Sequence, residues 1–179
     1  MAEKRLFVAV EIPAKQKQEL FDKYSRLLDS EKFKIVMPES MHLTLMFLGN
    51  VAEEKIAGLE ENLSKVSAKK FRLKIEGAGF FGKNILWIGI SKGKQEIEGL
   101  AANSRSAIGF FGEEFKPHLT IARNKSASSA EFAQAFRKIQ DAKITAEFFV
   151  DGFNLLESRL LPQGPKHSVL KEFALSNIG

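Results

Sequence analysis

The 179-residue chain, 44% hydrophobic and 27% charged, has the composition of a folded globular protein and room for one ordinary domain or two small packed lobes. It has no cysteine, which excludes disulfides, thiolate metal ligands and a thiol nucleophile. A formal charge of +5, with no block of consecutive basic residues, suits solubility and a weak attraction for polyanions, and argues against a nucleic-acid-binding tail.

Met1-Ala2-Glu3-Lys4-Arg5 leads into an apolar run, Leu6 to Val10, that is too short for a signal peptide or a membrane span, so the expected compartment is the cytoplasm. Leu6 to Ile12 reads as a first strand ending at Pro13, and Pro13 suits the first turn of a helix whose stripe of Leu20, Leu27 and Leu28 carries it to about Leu28. Phe33 to Val36 is a short strand. Pro38-Glu39-Ser40 turns into a strand from Met41 to Leu48, closed by Gly49-Asn50. Ile56, Leu59 and Leu63 give a helix over 52–66 one buried face. Phe71, Leu73 and Ile75 alternate with polar residues and open a hairpin, with Gly77, Gly79 and Gly82 around its bend and Ile85 to Ile90 returning. A helix over 96–110 precedes a strand from Phe115 to Ala122. Ser129 is placed to cap a helix running to Ile139. Alternation over Lys143–Leu156 is interrupted at Asp151-Gly152. Ser158 to Lys166 reads as a loop, and Val169 to Leu175 as the last strand. The whole is α+β: a single bilobal domain over 1–179, with related lobes in the two halves, each pairing a sheet with helices.

The chain has only three histidines, and two of them begin identical tripeptides, His42-Leu43-Thr44 and His118-Leu119-Thr120, one in each half. Each follows a proline closely, Pro38 or Pro117. On a strand a histidine and a hydroxyl at i and i+2 share a face. Alternation puts His42, Thr44 and Met46 opposite Leu43, Leu45 and Phe47. It likewise puts Lys116, His118, Thr120 and Ala122 opposite Leu119 and Ile121. Two such faces across a cleft would supply paired imidazoles and hydroxyls, a set suited to phosphodiester hydrolysis. One imidazole removes a proton from water, the other returns one to the departing oxygen, and the hydroxyls donate to the phosphate. Lys116 would add positive charge.

Other chemistries fit less well. His167 stands in a Gly-Pro-Lys stretch with no carboxylate partner evident, so no metal site is expected. No Gly-x-Ser-x-Gly elbow occurs. Gly77-Ala78-Gly79-Phe80-Phe81-Gly82 matches Gly-x-Gly-x-x-Gly in letters only, because it lies in a hairpin and not between a strand and a helix.

The segments Met41-His42-Leu43-Thr44-Leu45-Met46-Phe47-Leu48-Gly49 and Pro117-His118-Leu119-Thr120-Ile121-Ala122-Arg123 resemble the paired His-x-Thr signatures of the 2H phosphoesterases. Within that superfamily they look most like the RNA 2′,3′-cyclic phosphodiesterases, also described as 2′-5′ RNA ligases. The opening Arg5–Pro13 and the ending Gly164–Leu170 resemble that branch too, so the likeness runs from near residue 5 to near residue 175. It implies two antiparallel sheets flanking a central cleft, with one motif from each lobe. It also implies metal- and cofactor-free opening of a 2′,3′-cyclic phosphate on RNA or a small nucleotide. Carried onto this chain, His118 is the proton acceptor and His42 the proton donor, with Thr44, Thr120 and Arg123 as substrate contacts. Strict alternation, however, turns Arg123 away from His118. His167 stands where related sequences usually carry tyrosine. A monomer is expected. The rival readings are the reverse reaction, RNA ligation, and a non-catalytic RNA-binding module using strand-borne Phe and scattered Lys and Arg.

Overall fold

Alternating apolar residues bury one face of each strand, and two antiparallel sheets result. The computed structural model describes residues 2–110, 115–162 and 164–177. In chain order the elements are β1 (Glu3–Glu11), α1 (Ala14–Tyr24), β2 (Phe33–Ile35), β3 (His42–Ala52), α2 (Glu53–Leu63), β4 (Phe71–Phe81), β5 (Ile85–Lys92), α3 (Lys94–Ala107), β6 (Leu119–Asn124), α4 (Ser129–Asp141), β7 (Ala146–Val150), β8 (Gly152–Leu161) and β9 (Gly164–Ala174). One sheet has the order β3-β1-β8-β9 and the other β2-β6-β5-β4-β7. All the paired strands are antiparallel. The α+β class with two sheets is as expected.

The lobes are not, however, successive halves of the chain. The first sheet joins the two N-terminal long strands to the two C-terminal ones, while β2 crosses to the edge of the second sheet. Packing explains the crossing, since Phe33 of β2 is buried and its ring lies 6.1 Å from Phe132 of α4. A single buried cluster draws side chains from both sheets and the helices, and a small satellite of Phe7, Ala9 and Leu156 lies on the opposite face of the first sheet. Among the described residues no helix is long and apolar enough to cross a membrane.

Several element boundaries differ from expectation. The helix after Pro13 ends at Tyr24, and a 3₁₀ turn carries the chain on to Leu27. Tyr24 is fully buried and its hydroxyl donates to the Val36 carbonyl, which ties that turn to the next strand. Ser128, not Ser129, caps α4, through a capping box in which its hydroxyl accepts from Glu131 N–H and the Glu131 carboxylate accepts from Ser128 N–H. The expected loop over Ser158–Lys166 is instead the end of a long hairpin, because β8 continues to Leu161 and β9 starts at Gly164. Gln163, within that loop, lies outside the described residues. β3 does not close at Gly49-Asn50. Gly49 takes a positive φ of 71° and the strand bulges there and continues to Ala52.

Candidate functional site

Each His-Leu-Thr motif is followed at once by a β-bulge. On β3, Ala9 pairs with Thr44 and Val8 with Met46, so Leu45 is the extra residue. On β6, Trp87 pairs with Thr120 and Leu86 with Ala122, so Ile121 is the extra residue. A bulge changes the parity of everything after it. Met46 and Ala122, expected beside the histidines, are therefore buried in the core at 3% and 0% exposure. Phe47, expected on the core face, is 63% exposed on the His42–Thr44 side, opposite Phe7. Arg123, expected to turn away, pairs with Ile85 and shares the face of Thr120 and Trp87. Thus the two strands are bent alike, and the residue three beyond each threonine is brought onto the threonine's face.

Thr44 and Phe47 of the first sheet, Phe81 of the second, and His118 just before β6 line one cleft of about 930 Å³. The strand expected from Phe115 begins only at Leu119. Leu45, Met46, Lys116, Pro117, Phe110 and Phe115 also line the cleft, and α3 contributes Lys94, Glu98 and Arg105. The structure therefore brings one residue from each motif to a common wall. His42 lies two positions before Thr44 on the same strand, half-buried, its ring 4.7 Å from Phe7 and 5.0 Å from His167. Thr120 is half-buried and Arg123 exposed, both on the cleft-side face of β6.

The rings around each histidine set its tautomer and charge. His118 Nδ1–H donates to the Lys116 carbonyl at 2.6 Å, because a carbonyl can only accept, and this leaves the lone pair on Nε2. Phe81 meets the same ring edge-on at 4.8 Å, and Trp87 lies 6.0 Å away. The Lys116 ammonium sits over both aromatic rings, 5.4 Å and 5.1 Å from their centres. Burial pushes the His118 pKa below its ordinary value; the Lys116 carbonyl opposes this, and the charges of Lys116 and Arg123 add to the lowering. His42 is pushed down to about 3, chiefly by burial and then by the charges of His167 and Lys17, against a hydrogen bond to the Ser40 backbone. Both imidazoles are thus neutral at pH 7 when nothing is bound.

His167 is the residue the sequence misplaced most. It is held on β9 opposite Ser158, not in a loop, and its ring stacks edge-on against both His42 and Phe7 at 5.0 Å. Burial lowers its pKa first; the Glu11 carboxylate opposes this and Lys17 adds to it. Glu11, paired directly with His42, is bound by Lys17 at 2.7 Å. Period-two alternation carried back from Val169 would have placed His167 on a strand, had the Pro165 signal not ended it. Among the described residues no group of three or more metal-ligating side chains gathers.

Two antiparallel sheets flanking one cleft, each with a bulge directly after a His-Leu-Thr segment, make the architecture of the 2H phosphoesterases. The model of the 2′-5′ RNA ligase superfamily matches residues 13–160, and the chain belongs to that family. It is similar to an RNA 2′,3′-cyclic phosphodiesterase of Archaeoglobus fulgidus, 35% identical with 94% of this chain and 99% of the relative covered. It is also similar to one of Thermus thermophilus, 32% identical with 96% and 90% covered. Among solved structures, Escherichia coli LigT in its apo form superposes with a TM-score of 0.81 over 98% of this chain and 99% of that one, at 23% identity.

Proposed function

We propose that this protein hydrolyses 2′,3′-cyclic phosphate ends of RNA to 2′-phosphates without a metal ion or other cofactor, using His42 and His118 as an acid–base pair. The observation that carries the reading is the meeting of two like-bent His-Leu-Thr strands, one from each sheet, at one cleft. The relatives named above are RNA 2′,3′-cyclic phosphodiesterases, and LigT has been crystallised with 3′-AMP, which supports an RNA end as substrate.

His118 Nε2, free to accept because Nδ1–H is engaged, takes a proton from water as the water oxygen attacks phosphorus. The P–O3′ bond breaks on the opposite side. His42 delivers a proton to O3′, leaving a 3′-hydroxyl and a 2′-phosphate. Thr44 and Thr120 donate to the non-bridging oxygens of the cyclic phosphate, and Arg123 is a substrate contact further along the same face. His42 is neutral in the free protein, so its proton must come with the substrate. A phosphate monoanion about 4 Å from the ring favours imidazolium by roughly 4 kcal/mol at an effective dielectric constant of about 20, close to a thousandfold. That is enough to make His42 a usable acid near neutrality. With a ribose 5′-hydroxyl in place of water as the nucleophile, the same displacement joins two RNA ends through a 2′-5′ linkage, the activity that the family's description names.

We further infer that residues 1–179 act as one bilobal domain, monomeric and cytoplasmic. The test is to incubate the protein, in EDTA, with an end-labelled RNA carrying a 2′,3′-cyclic phosphate and to identify the products. A 2′-phosphate is expected. Binding without turnover would instead indicate an RNA-binding module, and a ligated product from paired RNA fragments a ligase.

A further inference from the structure

The bulge at Ile121 has an effect beyond the histidines. It sets Arg123 on the cleft-side face, and there Arg123 pairs directly with Lys34 on the edge strand β2. Like charges placed directly opposite each other on neighbouring antiparallel strands destabilise a sheet. Both side chains are exposed, and among the described residues neither has a carboxylate within ion-pair distance. The row Phe81–Ile85–Arg123–Lys34 runs from the cleft wall to the sheet edge, one row along from Trp87–Thr120. At its far end the Lys34 ammonium lies beside Gly164, where a Cβ would come within 3.9 Å, so the row ends under the tip of the β8–β9 hairpin of the other sheet. Beyond Lys34 opens a second groove, about 560 Å³, with Phe21 and Met37 on its walls and Lys125 as a second cation.

We propose that Arg123 and Lys34 together form a subsite for the internucleotide phosphodiester preceding the terminal nucleotide, so that the protein prefers an RNA strand end to a mononucleoside cyclic phosphate. An anion between the two cations removes the repulsion that the bare pair carries. The strand then continues past Lys34 into a groove offering apolar walls to a base and Lys125 to a phosphate. Its chemistry, single-stranded RNA bearing a terminal cyclic phosphate, rests on the function proposed above.

The test compares three substrates, a trinucleotide ending in a 2′,3′-cyclic phosphate, a nucleoside 2′,3′-cyclic phosphate, and the latter carrying a 5′-phosphate. In the wild type kcat/KM is expected to be highest for the trinucleotide. In Lys34→Ala the preference for the trinucleotide over the plain nucleoside falls about tenfold, the order of one exposed charge-assisted contact. The slope of log kcat/KM against log salt for the trinucleotide becomes shallower by about 0.7. Lys34→Arg retains the preference, and the melting midpoint of Lys34→Ala does not fall, because a repulsion has been removed. An unchanged preference and salt slope in Lys34→Ala would overturn the subsite. The 5′-phosphorylated nucleoside, which carries a phosphate on the same 5′-oxygen, should show a like loss, and a loss confined to the trinucleotide would overturn the assignment to the phosphate preceding the terminal nucleotide. If the wild type turns over none of the three, it is the functional reading that fails.

Discussion

Gly79 on β4 pairs directly with Trp87 on β5, and the indole lies flat across the glycine. A Cβ added at Gly79 would stand 2.1 Å from both Cη2 and Cζ2 of Trp87 and 2.5 Å from Cζ3. Carbon atoms rest at about 3.5–4.0 Å, so Gly79→Ala must push the ring aside by roughly 1.5 Å. Overpacking of this kind costs about 1–3 kcal/mol, and each kcal/mol lowers the melting midpoint by about 2–4 °C in a chain of this size. The ring cannot move alone, because it packs against Phe81 at 5.5 Å and His118 at 6.0 Å. A misplacement of about 1 Å at a reacting group can cost ~100-fold, so kcat is expected to fall well beyond what the lost stability explains. The chain has one tryptophan, so intrinsic fluorescence reports on this ring alone. The indole N–H is buried and has no partner among the described residues, and a displaced ring meets water, so the emission should shift to the red. Gly79→Ala combined with Trp87→Leu should recover most of the melting midpoint. If Gly79→Ala leaves midpoint, emission and kcat unchanged, the indole does not rest on Gly79 and the packing argument for His118 fails.

Two further predictions concern charge. Both lowered histidines lose their protons below the usual range, so the singly protonated pair is most populated on the acid side of pH 6.5. The kcat/KM profile, which reports the free protein, is expected to peak there, and kcat to peak at higher pH because bound phosphate favours imidazolium; a kcat/KM profile flat from about pH 5 to 9 contradicts this. Lys17→Met removes a cation that lowers His42 and His167 and leaves Glu11 without its partner. Both imidazoles should then titrate at higher pH by NMR, and a His42 resonance titrating unchanged or lower would count against the arrangement around it.

Much of this protein can be read from the chain because its strands obey simple alternation until a bulge intervenes. Leu43 and Leu119 anchor their strands as expected, His42, Thr44 and Thr120 occupy the faces that alternation assigns, and His118 stands just before β6 on the wall of the cleft. The errors begin one residue later. Leu45 and Ile121 are ordinary apolar residues, and nothing in either betrays an unpaired position in the ladder. Simple alternation therefore puts Met46, Phe47, Ala122 and Arg123 on the faces opposite to those they occupy. The glycines of the Gly-x-Gly-x-x-Gly stretch lie in the β4–β5 hairpin as expected, but they have three separate causes. Gly77 has a positive φ of 85° beside a register shift, Gly82 one of 55° at the turn, and Gly79 accommodates an indole. Pro165 hid the strand that carries His167, because proline ends most strands but is tolerated on an edge, and β9 is the edge of its sheet. The crossing of β2 to the second sheet has no local signal at all, since it depends on Phe33 meeting Phe132 about a hundred residues away.

If His42 and His118 act as one acid–base unit, as proposed, their losses do not add, and a double-mutant cycle on kcat reveals it. His42→Ala and His118→Ala should each lower kcat for a 2′,3′-cyclic-phosphate RNA by about 10²–10⁴-fold, and the double variant should be little worse than the weaker single. Either single variant turning over within a few-fold of the wild type would mean that its imidazole is not part of the acid–base pair.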